Sequence, residues 1–90
     1  MLKLGQVLHT PGFAGVAGDE IVKVTSDLLN RHRNGDWGDL VDEDKKMNDD
    51  AIIEGQESRV LSKYAVNGRD VYVITEWDRS VTTLLLPSEY

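Results

Sequence analysis

Hydrophobic and polar positions alternate with a period of two at the start of the chain. Leu2, Leu4, Gln6 and Leu8 lie on one side of an extended segment, with Lys3, Gly5, Val7 and His9 on the other. A strand is predicted over 2–8, its leucine side toward a core. Thr10-Pro11-Gly12 punctuates the chain: Thr10 suits a cap and Pro11 a first helical position. Glycines at 12, 15 and 18 weaken helix, so 10–18 reads as a loop or a single helical turn. From Asp19 the period lengthens. Ile21, Val24, Leu28 and His32 fall on one helical face, widened by Val22 and Leu29. Asp19 is an N-cap candidate, Arg31, His32 and Arg33 suit the last turn, and Asn34-Gly35 is a stop. The β-branched run at 21–25 offers Thr25 or Ser26 as a later start. A second helix is expected over 42–54. Asp42, Glu43 and Asp44 charge its N-terminus, Leu40, Met47, Ala51 and Ile52 form its apolar side, and Gly55 stops it.

The last third carries the plainest pattern. Two alternating runs, 58–66 and 69–77, flank Asn67-Gly68, a strong two-residue hairpin signal. Paired residue numbers then sum to 135. Val60, Ser62, Tyr64, Val66, Val71, Val73, Thr75 and Trp77 share the expected core face. The other face sets Arg59 opposite Glu76, an ion pair. Asp78-Arg79-Ser80 turns the chain into a strand over 81–86. A four-residue loop puts Thr82, Leu84 and Leu86 inward and a three-residue loop puts Val81, Thr83 and Leu85 there; the first buries two leucines and is preferred. Pro87 ends the strand. The fold class is α+β: a single domain over 1–90, β-α-α-β-β-β, with an antiparallel meander packed on two helices. Two helices leave part of a sheet face open, and Leu61, Tyr72 and Ile74 on that face suggest a homodimer contact.

Composition narrows the function without supplying one. A chain of 90 residues buries only about 60–65% of its unfolded surface, so the core is thin. With no cysteine there is no disulfide framework, thiolate metal site or thiol nucleophile. Residues 1–7 lack a signal-peptide pattern and no apolar run suits a membrane span, so a cytoplasmic protein is expected. A net charge of −6 argues against direct nucleic-acid binding and for a basic protein partner or plain solubility.

The charge is concentrated. Nine of the sixteen acids fall at 36–57: Asp36, Asp39, Asp42, Glu43, Asp44, Asp49, Asp50, Glu54 and Glu57. A dense acidic surface imitates nucleic-acid phosphates and can occupy a basic groove on another protein; its alternative is a solvated helix. No EF-hand loop, zinc spacing, phosphate loop or catalytic triad is present, so no cofactor or metal is assigned. Trp37, between Gly35 and Gly38, is either an exposed anchor or a plug between helices. His32 with Asp36 or Asp39 is the one acid–base pairing available to a small enzyme, against a structural role for His32 at its helix end. Asp78 and Arg79 form a charged hairpin tip. The partner-binding candidates are thus Trp37, Asp39, Asp42, Glu43, Asp44, Asp49, Asp50, Asp78 and Arg79.

Two blocks resemble a known family. The first is Arg31-His32-x-x-Gly35-Asp36-Trp37-Gly38-Asp39-Leu40, followed by Glu43-Asp44 and Asn48. The second is Thr75-Glu76-x-Asp78-Arg79-Ser80-Val81-Thr82-Thr83-x-Leu85-Leu86-Pro87-x-Glu89-Tyr90. Together, over residues 31–90, they are similar to small uncharacterised bacterial proteins of plasmids, prophages and integrative elements. The resemblance implies a setting on mobile DNA and no assigned activity. The leading expectation is a non-enzymatic interaction protein, in its sharpest form an inhibitor of a restriction or CRISPR defence system.

Overall fold

The computed structural model describes residues 1–90. The elements are β1 (Gln6–His9), α1 (Pro11–Ala17), a 3-10 turn (Gly18–Glu20), α2 (Ile21–Arg33), α3 (Asp42–Ala51), β2 (Val60–Val66), β3 (Arg69–Thr75), β4 (Val81–Leu85) and a second 3-10 turn (Pro87–Glu89). The α+β class is as expected. The four-stranded sheet has the order β1-β4-β3-β2, with β1 parallel to β4 and the other pairs antiparallel.

The hairpin register follows from its turn. Val60 pairs with Thr75 and Val66 with Arg69, and Asn67 and Gly68 both take positive φ, as a type I′ turn requires. Arg59 Nη2 lies 3.2 Å from Glu76 Oε1 across the strands. The next turn has four residues, because Glu76 N–H donates to Val81 O and Thr75 pairs with Thr82. Thr82, Leu84 and Leu86 therefore face inward and are buried.

α1 and α2 cover that inner face. Phe13, Ala17 and Leu28 meet Tyr64, Val66, Val71, Val73, Leu84 and Leu86 in the main core. A second cluster, Leu2, Trp37, Ala51 and Val60, holds α3 against the start of β2.

Four local expectations are corrected. β1 begins only at Gln6: Leu2 and Leu4 do pack on the core, but Gly5 takes φ +64, and beyond it the strand, Leu8 included, is exposed. Residues 11–17 form a helix despite their glycines, because Thr10 Oγ1 accepts from Phe13 N–H and the Glu89 carboxylate accepts from Thr10 Oγ1–H and Gly12 N–H. α2 starts at Ile21, launched by the 3-10 turn rather than by a capping Asp19, Thr25 or Ser26. α3 ends at Ala51 and buries Ala51 as expected, but leaves Met47 and Ile52 exposed and buries Asn48 in their place.

The outer sheet face is also less open than expected. Ile74 and Leu85 are buried and Leu61 and Tyr72 half-buried. Tyr90 sets its ring edge-on to Tyr72, with ring centroids 5.9 Å apart.

Candidate functional site

The stretch from Gly35 to Leu40 is built as a joint. α2 runs out at Arg33, and Gly35, at φ +84, closes its end by donating its N–H to His32 O. Asp36 then returns to the helix. Its N–H donates to Arg31 O, its carboxylate accepts from Arg31 Nε at 2.7 Å and Nη2 at 3.3 Å, and its Oδ1 accepts from Gly38 N–H. The Arg31 hydrogen bond holds the Asp36 carboxyl below the usual carboxylate range. Tyr64 O–H donates to Asp36 O, and the Arg31 guanidinium sits 4.5 Å above the Tyr64 ring. Burial pushes the Tyr64 phenol up to about 12, so it remains a donor at neutral pH.

Beyond Asp36 the chain lies along β2. Lys63 N–H donates to Trp37 O and Asp39 N–H to Lys63 O, a short parallel bridge. Gly38 permits this approach: at φ +77, a Cβ there would overlap the Lys63 carbonyl. Nearly two turns into α3, the Asn48 carboxamide continues the same edge, donating to Leu61 O at 2.7 Å and accepting from Leu61 N–H at 3.2 Å. At the outer edge of β2, Lys63 is thus bonded by Trp37 and Asp39 of the joint and Leu61 by one side chain of the acidic helix.

Trp37 is the plug, not an exposed anchor. It is 4% exposed, its indole N–H donates to Asp49 Oδ1 at 2.8 Å, and it packs edge-on against His32. Asp49 therefore has an internal task. Arg79 is likewise engaged: its guanidinium donates to Ser58 O, Glu76 O and Ala51 O. The last contact sets a positive charge at the C-terminal end of α3, whose own last turn carries no base. Asp78 caps its turn through Ser80 N–H and Oγ–H, and those bonds lower its carboxyl's titration.

His32 neither caps its helix nor meets Asp36 or Asp39 through a hydrogen bond. It is fully buried, with Nδ1 2.6 Å from Ser62 Oγ and Nε2 2.9 Å from Thr75 Oγ1. Thr75 Oγ1 lies 2.7 Å from Thr82 Oγ1, which donates to Leu4 O. That last carbonyl fixes the direction of the whole row. Thr82 gives its proton to Leu4 O, so Thr75 donates to Thr82, His32 Nε2–H donates to Thr75, and Ser62 donates to Nδ1. The imidazole is neutral with the proton on Nε2. Burial, with the Arg79 charge adding to it, pushes its pKa down to about 4. The signal in the sequence is Ser62 and Thr75 on the hairpin's apolar face, with Thr82 inward on the next strand: three neighbouring hydroxyls need a polar partner, and His32 is on the helix above.

What faces solvent is the acidic side of α3. Asp39, Asp42, Glu43, Asp44 and Asp50 are exposed, as are Glu54 and Glu57. The ion pairs of the molecule are Lys23–Asp27, Arg31–Asp36, Arg59–Glu76 and Lys63–Asp70, and none includes these seven acids. Next to them, between α3 and the outer sheet face, lies a groove of about 330 Å³ floored by Leu61 and Tyr72 and walled by Leu40, Met47 and Tyr90, with Asp44 at its rim. No three or more His, Asp or Glu side chains are grouped to hold a metal ion. No helix is long and apolar enough to cross a membrane. Comparisons with protein-family models, with curated proteins and with solved structures found no match.

Proposed function

We propose that the protein is a non-enzymatic interaction module whose acidic α3 surface docks on a basic surface of another protein. The observation that carries this reading is the contrast between the two sides of α3. Its inner side is pinned by Asn48, Asp49, Ala51 and Arg79. Its outer side carries acids that form no ion pair, although Lys45 and Lys46 share the helix with them. A helix held rigidly presents its charges without an ordering cost on binding, and unpaired acids keep their field for a partner. The groove beside Asp44 offers an apolar seat next to that field, where one buried anchor contributes more than rim charges do. The resemblance of residues 31–90 to proteins of mobile elements supports the sharper form, a cytoplasmic inhibitor of a restriction or CRISPR defence protein. In that form α3 takes the place of nucleic-acid phosphates in a basic groove.

The test is affinity capture from a host lysate with the wild type and with Asp42→Asn/Glu43→Gln/Asp44→Asn/Asp50→Asn. Asp49 is left intact because it holds Trp37. A basic protein retained by the wild type, eluted by salt and lost with the quadruple variant supports the reading. Capture that is indifferent to the four substitutions sinks it.

A further inference from the structure

The two edges of the sheet are treated differently. At β2 the outward backbone groups of Leu61 and Lys63 are bonded by Asn48 and by residues 37–39. At β1 nothing covers the edge. Gln6 and Thr10 donate their N–H groups to Ser80 O and Leu84 O of the neighbouring strand. Successive residues of a strand turn their backbone groups to opposite edges, so the N–H and C=O of Val7 and His9 point away from the sheet. All four residues of β1 are exposed, Val7 by 40% and Leu8 by 45%. An open edge accepts one kind of occupant, another extended strand.

We propose that β1 pairs antiparallel with β1 of a second copy of this chain, joining two sheets into one of eight strands. The charge pattern selects a second copy over a cationic partner. Residues 4–18 contain no Asp, Glu, Lys or Arg in a chain of net charge −6, so two like-charged molecules meet here with least repulsion and a basic partner finds no acid on the strand. The register is also determined. Only Val7 and His9 present outward groups, Gly5 bends the chain on one side, and Pro11 offers no N–H on the other. Val7 opposite His9 of the copy, and His9 opposite its Val7, uses all four outward groups of each chain. Leu8 then faces its own counterpart on the two-fold axis, in the closely spaced non-hydrogen-bonded position. Such a dimer sets the two β2 strands, each with its α3, at opposite edges of one sheet, about 34 Å apart at a strand spacing of about 4.8 Å. The pairing rests on the β1 edge alone and stands or falls separately from the α3 reading.

The experiment is sedimentation equilibrium across a rising concentration series up to about millimolar, on wild type and Val7→Pro. That proline removes an outward N–H and takes none from the β1–β4 ladder. The wild type is expected to move from monomer toward dimer, and Val7→Pro to stay monomeric with an unchanged circular dichroism spectrum. Leu8→Cys provides an independent readout, since the chain has no other cysteine. Mild oxidation is expected to link it into a covalent dimer faster than Val22→Cys, an exposed control on α2. A wild type that stays monomeric throughout, a dimer that survives in folded Val7→Pro, or equal linking of the two cysteine variants overturns the pairing. Should Val7→Pro not fold, the cysteine comparison decides.

Discussion

His32 shows how a single residue's environment sets what it can do. A buried imidazole that donates at Nε2 and accepts at Nδ1 is a structural cross-link between α2 and two strands, and a proton added to Nδ1 breaks the bond from Ser62. In the unfolded chain this histidine takes up its proton near the ordinary 6.5; in the folded chain it does so only near 4. Between those values the unfolded state holds more protons, so stability falls as pH drops from 6.5 to 4. The loss attributable to His32 is roughly 3 kcal/mol at the acid end. Urea unfolding of wild type and His32→Gln across that window checks it: the wild-type curve should fall more steeply, and parallel curves would refute the neutral assignment. At Gly38 the constraint is steric. Gly38→Ala must hold positive φ and push its methyl group toward the Lys63 carbonyl. We expect a loss of more than about 2 kcal/mol in the same assay.

Among the elements, α3 is held to the edge of β2 through Asn48. Removing its carboxamide leaves Leu61 N–H and C=O half-covered without partners, at a cost of about 1–3 kcal/mol. Asn48→Ala should therefore lower the urea midpoint by far more than Asp50→Ala, a solvated position on the same helix; equal midpoints would mean that the edge closure contributes nothing. Asn48 also shows where sequence reading stops. The hairpin, its register and the four-residue turn were legible because Asn67-Gly68 dictates pairing and one face is apolar throughout. α2 was legible from its stripe, and the Arg59–Glu76 pair followed from the register. The buried side of α3 was not. Apolar spacing points to Met47 and Ile52, whereas the neighbour that α3 meets is the polar edge of a strand, and a carboxamide serves that edge better than a methyl group. Helix 11–17 was hidden for a related reason: its support comes from Glu89, distant in the chain. Trp77, placed on the core face by alternation, is 64% exposed because it has left the strand for the turn.

At the level of the whole molecule, several of the candidate side chains are bonded into the architecture. Trp37 and Asp49 fix the joint between α2 and α3, Arg79 holds the far end of α3, and His32 ties α2 to the sheet. The partner-binding candidates left facing outward are Asp39, Asp42, Glu43, Asp44, Asp50 and Asp78, of which Asp78 is tied to its own turn. Their placement was legible as a charge-rich segment, but which acids are tied down by hydrogen bonds follows only from the fold. The proposed role depends on long-range charge, and such binding weakens steeply with ionic strength. The most direct measurement is the affinity of the captured partner for wild type and for the Asp42→Asn/Glu43→Gln/Asp44→Asn/Asp50→Asn variant, across a series of salt concentrations. If α3 docks through its charge, the wild-type affinity falls steeply with salt, and the variant is roughly tenfold weaker or more at low salt with a flatter dependence. Equal affinities, or a wild-type affinity indifferent to salt, would contradict it.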